Sequence, residues 1–131
     1  MKKVFKSEAD VKAAVKQALA EYPGVWYFMP FMSGFGRAGV PDIIVCFQNR
    51  FLAVETKFGT NKPTPAQKAE LKKIHDAFGV AMIVNEHWIG TFKEVLDDLS
   101  LGLYTHAREL SRATLIAYGV IEICGLDAKR D

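Results

Sequence analysis

The sequence predicts an α/β domain in which a mixed central sheet is flanked by helices, in the order helix, three strands, helix, strand, helix. Three observations predict it. Apolar residues recur at helical intervals from Val11 to Tyr22 and stop at Pro23-Gly24. Two strand-like runs, 42–47 and 51–57, stand close enough for a hairpin, and a helix opening at Thr64 leads into the short apolar run Val80 to Val84. At 131 residues, half of them hydrophobic, the chain has room for one domain with a real core. Residues 1–99 are assigned to that domain, and residues 100–131 to a C-terminal extension that packs on it or forms a dimer interface.

Each element has its own signal. Ser7-Glu8-Ala9-Asp10 has capping-box spacing, so the first helix should run from Ser7 to Glu21. The aromatic stretch Val25 to Phe31 suits a strand, and the glycines of 33–39 mark a flexible loop. Asp42 to Phe47 and Phe51 to Lys57 form the hairpin, with Gln48-Asn49-Arg50 between them. Thr64-Pro65-Ala66-Gln67 places an N-cap residue, a proline at the first helical position and a glutamine at the third, opening a helix to Phe78 that Gly79 ends. Val80 to Val84 reads as a buried strand and Thr91 to Leu99 as a short helix. Ala107, Leu110, Thr114 and Ala117 mark a last helix, followed by Gly119 and a strand-like run from Val120 to Ile123.

No apolar run approaches the roughly 18 residues needed to span a bilayer, and the charged start at Lys2, Lys3 and Lys6 is unlike a signal peptide. A soluble, cytoplasmic protein is expected, with no membrane partner. Cys46 and Cys124 give neither a disulfide framework nor a metal-knuckle spacing, and both are read as reduced thiols. The net charge of +2 is unevenly spread: residues 1–73 hold twelve Lys/Arg against six Asp/Glu, and residues 74–131 five against nine. The first half is therefore +6 and the second −4, a split compatible with a polyanion on one side, although ordinary solvated faces account for it more simply.

The hairpin strands carry charges where core strands rarely hold them. Asp42 starts one strand directly after Pro41, while Glu55 and Lys57 close the next and point to one face. A loop of two or four residues sets Asp42 opposite Glu55, with Cβ atoms about 4.5–5.5 Å apart; an odd loop without a bulge puts them on opposite faces. Two carboxylates so close repel unless a cation lies between them, and hard oxygen ligands suit Mg²⁺ or Mn²⁺. A metal there would polarise a phosphate and acidify a water, with Lys57 stabilising charge on the phosphorane or orienting the water. A plain cross-strand salt bridge from Lys57 accounts for the spacing equally well.

Three blocks in order resemble the VRR-NUC branch of the PD-(D/E)XK nuclease superfamily: Gly36-Arg37-Ala38-Gly39-Val40-Pro41-Asp42, Arg50-Phe51-Leu52-Ala53-Val54-Glu55-Thr56-Lys57, and Lys62-Pro63-Thr64-Pro65-Ala66-Gln67. The resemblance covers about Ser7 to Leu99 and implies a restriction-endonuclease-like αβββαβ core. It further implies that Asp42 and Glu55 bind the metal and that Lys57 is catalytic, with Glu8 and Gln67 completing the site. Glu8 also continues the apolar face of the first helix, three residues before Val11, although a first-turn carboxylate favourable to the helix dipole is an ordinary surface feature too. Gln67 is already explained by its capping box with Thr64. Thr56 departs from the apolar residue more usual between the catalytic pair, on the opposite face.

Arg37, Lys62, Lys68 and Lys72 are the candidate phosphate contacts. His75 is read as exposed helix, His87 and His106 as uninformative, and the Trp26, Tyr27, Phe28 run as core rather than a base-stacking surface. The resemblance implies a structure-selective DNA endonuclease acting on branched DNA such as Holliday junctions, for which a homodimer suits the two-fold junction. Leu101, Leu103 and Tyr104 are the candidate dimer surface. An exonuclease, nickase or restriction-like enzyme on duplex DNA, and an inactive DNA-binding protein of the same fold, are the alternatives.

Overall fold

A computed structural model describes residues 4–31 and 36–123. Its order is α1 (Glu8–Ala20), β1 (Trp26–Phe28), β2 (Ile43–Phe47), β3 (Arg50–Thr56), α2 (Pro65–Asp76), β4 (Val80–Val84), α3 (Ile89–Ser100) and α4 (Tyr104–Ala117). The strands form one mixed sheet in the order β1-β2-β3-β4, with antiparallel pairs along the hairpins and β4 parallel to β3. The α/β class and the αβββαβ-like order are as the sequence predicts. Among the described residues, no helix is long and apolar enough to cross a membrane.

Strand parity divides the core into two layers. Ile43, Val45, Leu52, Val54, Val80 and Met82 face one way and pack with Val11, Val15 and Leu19 of α1 and with Phe92 and Leu96 of α3. Ala81 and Ile83 face the other way, under Leu71 of α2 and Leu115 of α4. Every residue of β4 is buried, because helices cover both of its faces. Cover over β1 and β2 is one-sided, and there the pattern alternates: Trp26 and Phe28 are exposed and Tyr27 half-buried. Reading all three aromatics as core was therefore wrong for Trp26 and Phe28.

The hairpin turn is shorter than the three residues expected. Arg50 joins β3 opposite Phe47, leaving Gln48 (φ 52°) and Asn49 (φ 65°) as a two-residue turn. Two successive left-handed residues are the hallmark of type I′, whose twist matches that of the strands. An even loop satisfies the condition that sets Asp42 across from Glu55.

The helix ends refine other expectations. Ser7 caps α1 by accepting from the Asp10 amide, but Asp10 accepts from the Lys6 amide instead of closing a reciprocal box. Gly79 is not the left-handed residue after α2. Phe78 takes that role (φ 70°), with the Gly79 amide donating to the Ile74 carbonyl. Gly79 serves close packing, since a Cβ there would lie 2.8 Å from Ile74 Cγ2. After α4, Gly119 is the left-handed residue, and Val120 turns back to donate to Leu115. Residues 120–123 form no strand; Val120 instead fills the α2/α4 layer.

His75 is buried, not exposed. Arg108 of α4 donates to the carbonyls of His75 and Gly79, and its guanidinium stands 3.2 Å from His75 Nε2. Burial, followed by the adjacent Arg108 charge, holds the imidazole pKa below its ordinary value. This contact ties α4 to the end of α2, while Arg50 lies 3.8 Å over the Tyr104 ring at the start of α4. Leu101 and Leu103 are exposed and Tyr104 is half-buried. Cys46 is a free, exposed thiol, and the expectation for Cys124 lies outside the described residues.

Candidate active site

The site grows from the end of β3. Glu55 follows Phe51 and Ala53 on one face, so its side chain enters the layer beneath α2, where it is 1% exposed. Asp42 stands one residue before β2, beyond the pair Ile43↔Val54, where it is close enough to Glu55 to repel its charge. Lys57, itself buried, continues the ladder through its amide to the Val84 carbonyl and lies on Glu55's face.

The three groups are electrostatically coupled. Lys57 Nζ is 3.4 Å from Glu55 Oε2, close enough to pair in charge. Both Glu55 oxygens are buried without a hydrogen-bond partner. Burial, then repulsion from Asp42, pushes the Glu55 pKa up to about 8 against the opposing pull of Lys57, with Glu8 adding the smallest contribution. A buried carboxylate held against its own ionisation is the kind of defect a fold retains for a ligand or a reaction.

Asp42 is held differently. Its Oδ2 accepts from the Thr56 amide at 2.8 Å and from Thr56 Oγ1 at 2.7 Å. Its Oδ1 faces Lys12 Nζ of α1 at 3.8 Å. Neither Thr56 nor Lys12 was singled out from the sequence as a site residue. Lys12 lies one helical turn beyond Glu8, a spacing that could have found it. Thr56 had no such signal, because its contact depends on how the chain bends at Asp42.

The other candidates are placed less centrally. Glu8 is the first residue of α1, within electrostatic reach of Glu55. Among the described residues, no three His, Cys, Asp or Glu side chains are grouped closely enough to hold a metal ion. The carboxylates brought together are thus a pair, Asp42 and Glu55. Gln67 Oε1 accepts from the Thr64 amide at 2.9 Å, so its oxygen is committed to the helix cap.

Gly39 sets how the loop enters the site. It has φ 81°, and a Cβ there would lie 2.4 Å from the Ala66 carbonyl oxygen and 2.9 Å from the Gln67 amide. The chain just before Asp42 therefore presses on the first turn of α2. Arg37 pins the same loop through Glu70 at 3.1 Å. Of the remaining phosphate-contact candidates, Lys72 pairs with Asp76 at 2.6 Å, Lys62 is exposed, and Lys68 points toward Gly119 at the end of α4.

A buried carboxylate with two unpaired oxygens, beside a second carboxylate, fits a small hard cation. Mg²⁺ keeps several waters and is held by one or two carboxylates together with substrate phosphate oxygens, so a third carboxylate is not required. No protein-family model matches this chain and no curated protein sequence matches it, so the chemistry of the site stands on its own geometry.

Proposed function

We propose that the chain is a divalent-metal-dependent endonuclease that hydrolyses DNA phosphodiester bonds. The observation that carries this reading is Glu55, buried with both oxygens unpaired, beside Asp42 and Lys57. The ion pair with Lys57 at 3.4 Å only partly offsets the burial of this carboxylate, and a buried unsatisfied polar atom costs about 1–3 kcal/mol.

Asp42 and Glu55 would hold Mg²⁺ or Mn²⁺, which supplies a polarised phosphate and an acidified water. Thr56 fixes Asp42 through Oδ2, and Oδ1 faces Lys12, an ion pair that a metal there would have to compete with. Lys57, fixed by its backbone bond to β4, offers its ammonium to a non-bridging phosphate oxygen as negative charge develops there. Glu8 is in position to influence the charge of this pair through space. Arg37, Lys62 and Lys72 are the basic groups available to flanking phosphates. Preference for branched DNA such as Holliday junctions, and action as a homodimer, are proposed on the VRR-NUC resemblance.

The test is incubation of the chain with labelled four-way junction, flap, single-stranded and duplex DNA in Mg²⁺, Mn²⁺ or chelator, alongside Asp42→Ala and Lys57→Ala. Metal-dependent internal cleavage lost in both variants is expected. Cutting in chelator, or full activity in either variant, would overturn the proposal.

A further inference from the structure

Deepening the nuclease reading, on which it rests, we propose that Lys12 couples metal loading to DNA binding: its ammonium guards Asp42 Oδ1 until a phosphate draws it away. The geometry leaves one oxygen of Asp42 to contest. Oδ2 already accepts from both the amide and the hydroxyl of Thr56, and Lys12 Nζ stands 3.8 Å from Oδ1. A cation held by Asp42 therefore meets the Lys12 ammonium at the oxygen it needs.

The charges already at the site give the guard its effect. Asp42 and Glu55 are matched in number by Lys12 and Lys57, and Glu8 adds only a small contribution. Two ammonium groups so close oppose a dication directly, because charges a few ångströms apart at a protein surface are only partly screened. A DNA phosphate brings one negative charge to the site and offers Lys12 a second anion. Both obstacles to the metal are then removed together.

Lys12 is placed to exchange partners, and Lys57 is not. At 3.8 Å the Lys12 contact is longer than a hydrogen bond, and its side chain is 33% exposed. Partly exposed ion pairs are weak and the four-carbon stem of lysine is flexible, so the ammonium moves at small cost. Lys57 is buried beside Glu55 and tied to β4 through its amide. Glu8, one helical turn back on α1, is the other anion within reach of Lys12. A retreat to Glu8 would free Asp42 with no DNA present, which distinguishes it from transfer to a phosphate.

The test uses the full chain and Ca²⁺, a hard cation that takes oxygen ligands as Mg²⁺ does. Calorimetry gives the Ca²⁺ affinity of the protein alone, with Asp42→Asn as the control that locates binding at the site. Fluorescence anisotropy gives the affinity for a labelled four-way junction in chelator and in saturating Ca²⁺, and the ratio of the two is the coupling. By linkage, DNA tightens the metal by that same factor. Lys12→Met should bind Ca²⁺ about fivefold more tightly than wild type and show about fivefold less coupling, the size expected of one partly exposed ion pair. Lys12→Arg should resemble wild type. So should Lys16→Met, which removes the same charge one turn further along α1. Unchanged Ca²⁺ affinity in Lys12→Met, or an equal change in Lys16→Met, would overturn the guard. Tighter Ca²⁺ with unchanged coupling would mean a retreat to Glu8 and would overturn the link to DNA. Cleavage in Mg²⁺ is scored separately. If the wild type cleaves while Lys12→Met keeps wild-type affinity and coupling, the guard fails and the nuclease reading stands. If coupling depends on Lys12 but nothing is cleaved, the guard stands and the nuclease reading fails. Ca²⁺ binding that survives Asp42→Asn, or no binding of Ca²⁺ or DNA by the wild type, would sink both.

Discussion

Thr56 gives both its amide and its hydroxyl to one oxygen of Asp42, so the acid's orientation is set by the residue lying between Glu55 and Lys57. One short strand segment thereby supplies two site groups and steers a third. Thr56→Val keeps the amide bond and the side-chain volume but removes the hydroxyl. Groups that orient a metal ligand are typically worth 10- to 100-fold in metal affinity or activity. We expect the Mg²⁺ concentration for half-maximal cleavage to rise about tenfold, with DNA affinity in chelator unchanged. Unaltered metal dependence would show that Asp42 needs no such guide.

Glu55 ties stability to pH. Its folded pKa of about 8 lies above its ordinary value of 4.5, so the folded state binds the proton more tightly than the unfolded state does. The resulting stabilisation is complete below about pH 4.5 and is lost as pH rises through about 8, a change on the order of a few kcal/mol. In chelator, wild-type Tm should fall between pH 5 and pH 8.5, and Glu55→Gln should flatten that fall and exceed wild type at the alkaline end. The same variant should lose turnover and keep DNA affinity within a few-fold, because the basic groups supply most phosphate binding. Parallel Tm profiles for the two proteins would refute the pKa argument, and collapsed affinity would refute the division of roles.

Two glycines with left-handed backbones provide a matched contrast. Gly39 (φ 81°) would place a Cβ into the Ala66 carbonyl, whereas Gly59 (φ 63°) has nothing within 4 Å. Gly59→Ala should cost about 1–2 kcal/mol in backbone strain and leave cleavage intact. Gly39→Ala adds a steric clash three residues before Asp42, and should cost more stability and also depress cleavage. Equal effects from the two would mean the loop's seat on α2 does not position Asp42.

Phe78 is a bulky residue in the left-handed position after α2. Relieving that conformation with glycine gains about 1–2 kcal/mol, against about 0.5–1 kcal/mol for the Arg108 guanidinium 5.3 Å over its exposed ring. Phe78→Gly should therefore raise Tm by a few degrees without touching cleavage. A lower Tm would mean that the ring contact outweighs the strain.

How much the sequence disclosed depended on whether a residue's role was local. Asp42, Glu55 and Lys57 share a region because a strand repeats every two residues, and period alone carried that far. Whether Asp42 meets Glu55 hung on the turn, where Arg50 looked like loop but pairs with Phe47. His75 stands four residues beyond Leu71, on the buried face of α2, yet the helix that covers it begins only at Tyr104. Trp26 to Phe28 is apolar at every position, so its alternation could not show which side the helices leave bare. The cap of α2 was legible in Thr64 and Gln67 because both partners lie within one turn.

The Gln48-Asn49 turn lies about 20 Å from Asp42 along β2, and yet it works as a parity bit for the proposed catalytic end. One residue inserted there, unless bulged out, would rotate Glu55 and Lys57 into the apolar layer of Val11 and Val15; two would restore them. Length variation at this tip is therefore tolerable only in even steps, so an insertion far from any reacting atom can silence the chemistry while every proposed ligand is still encoded.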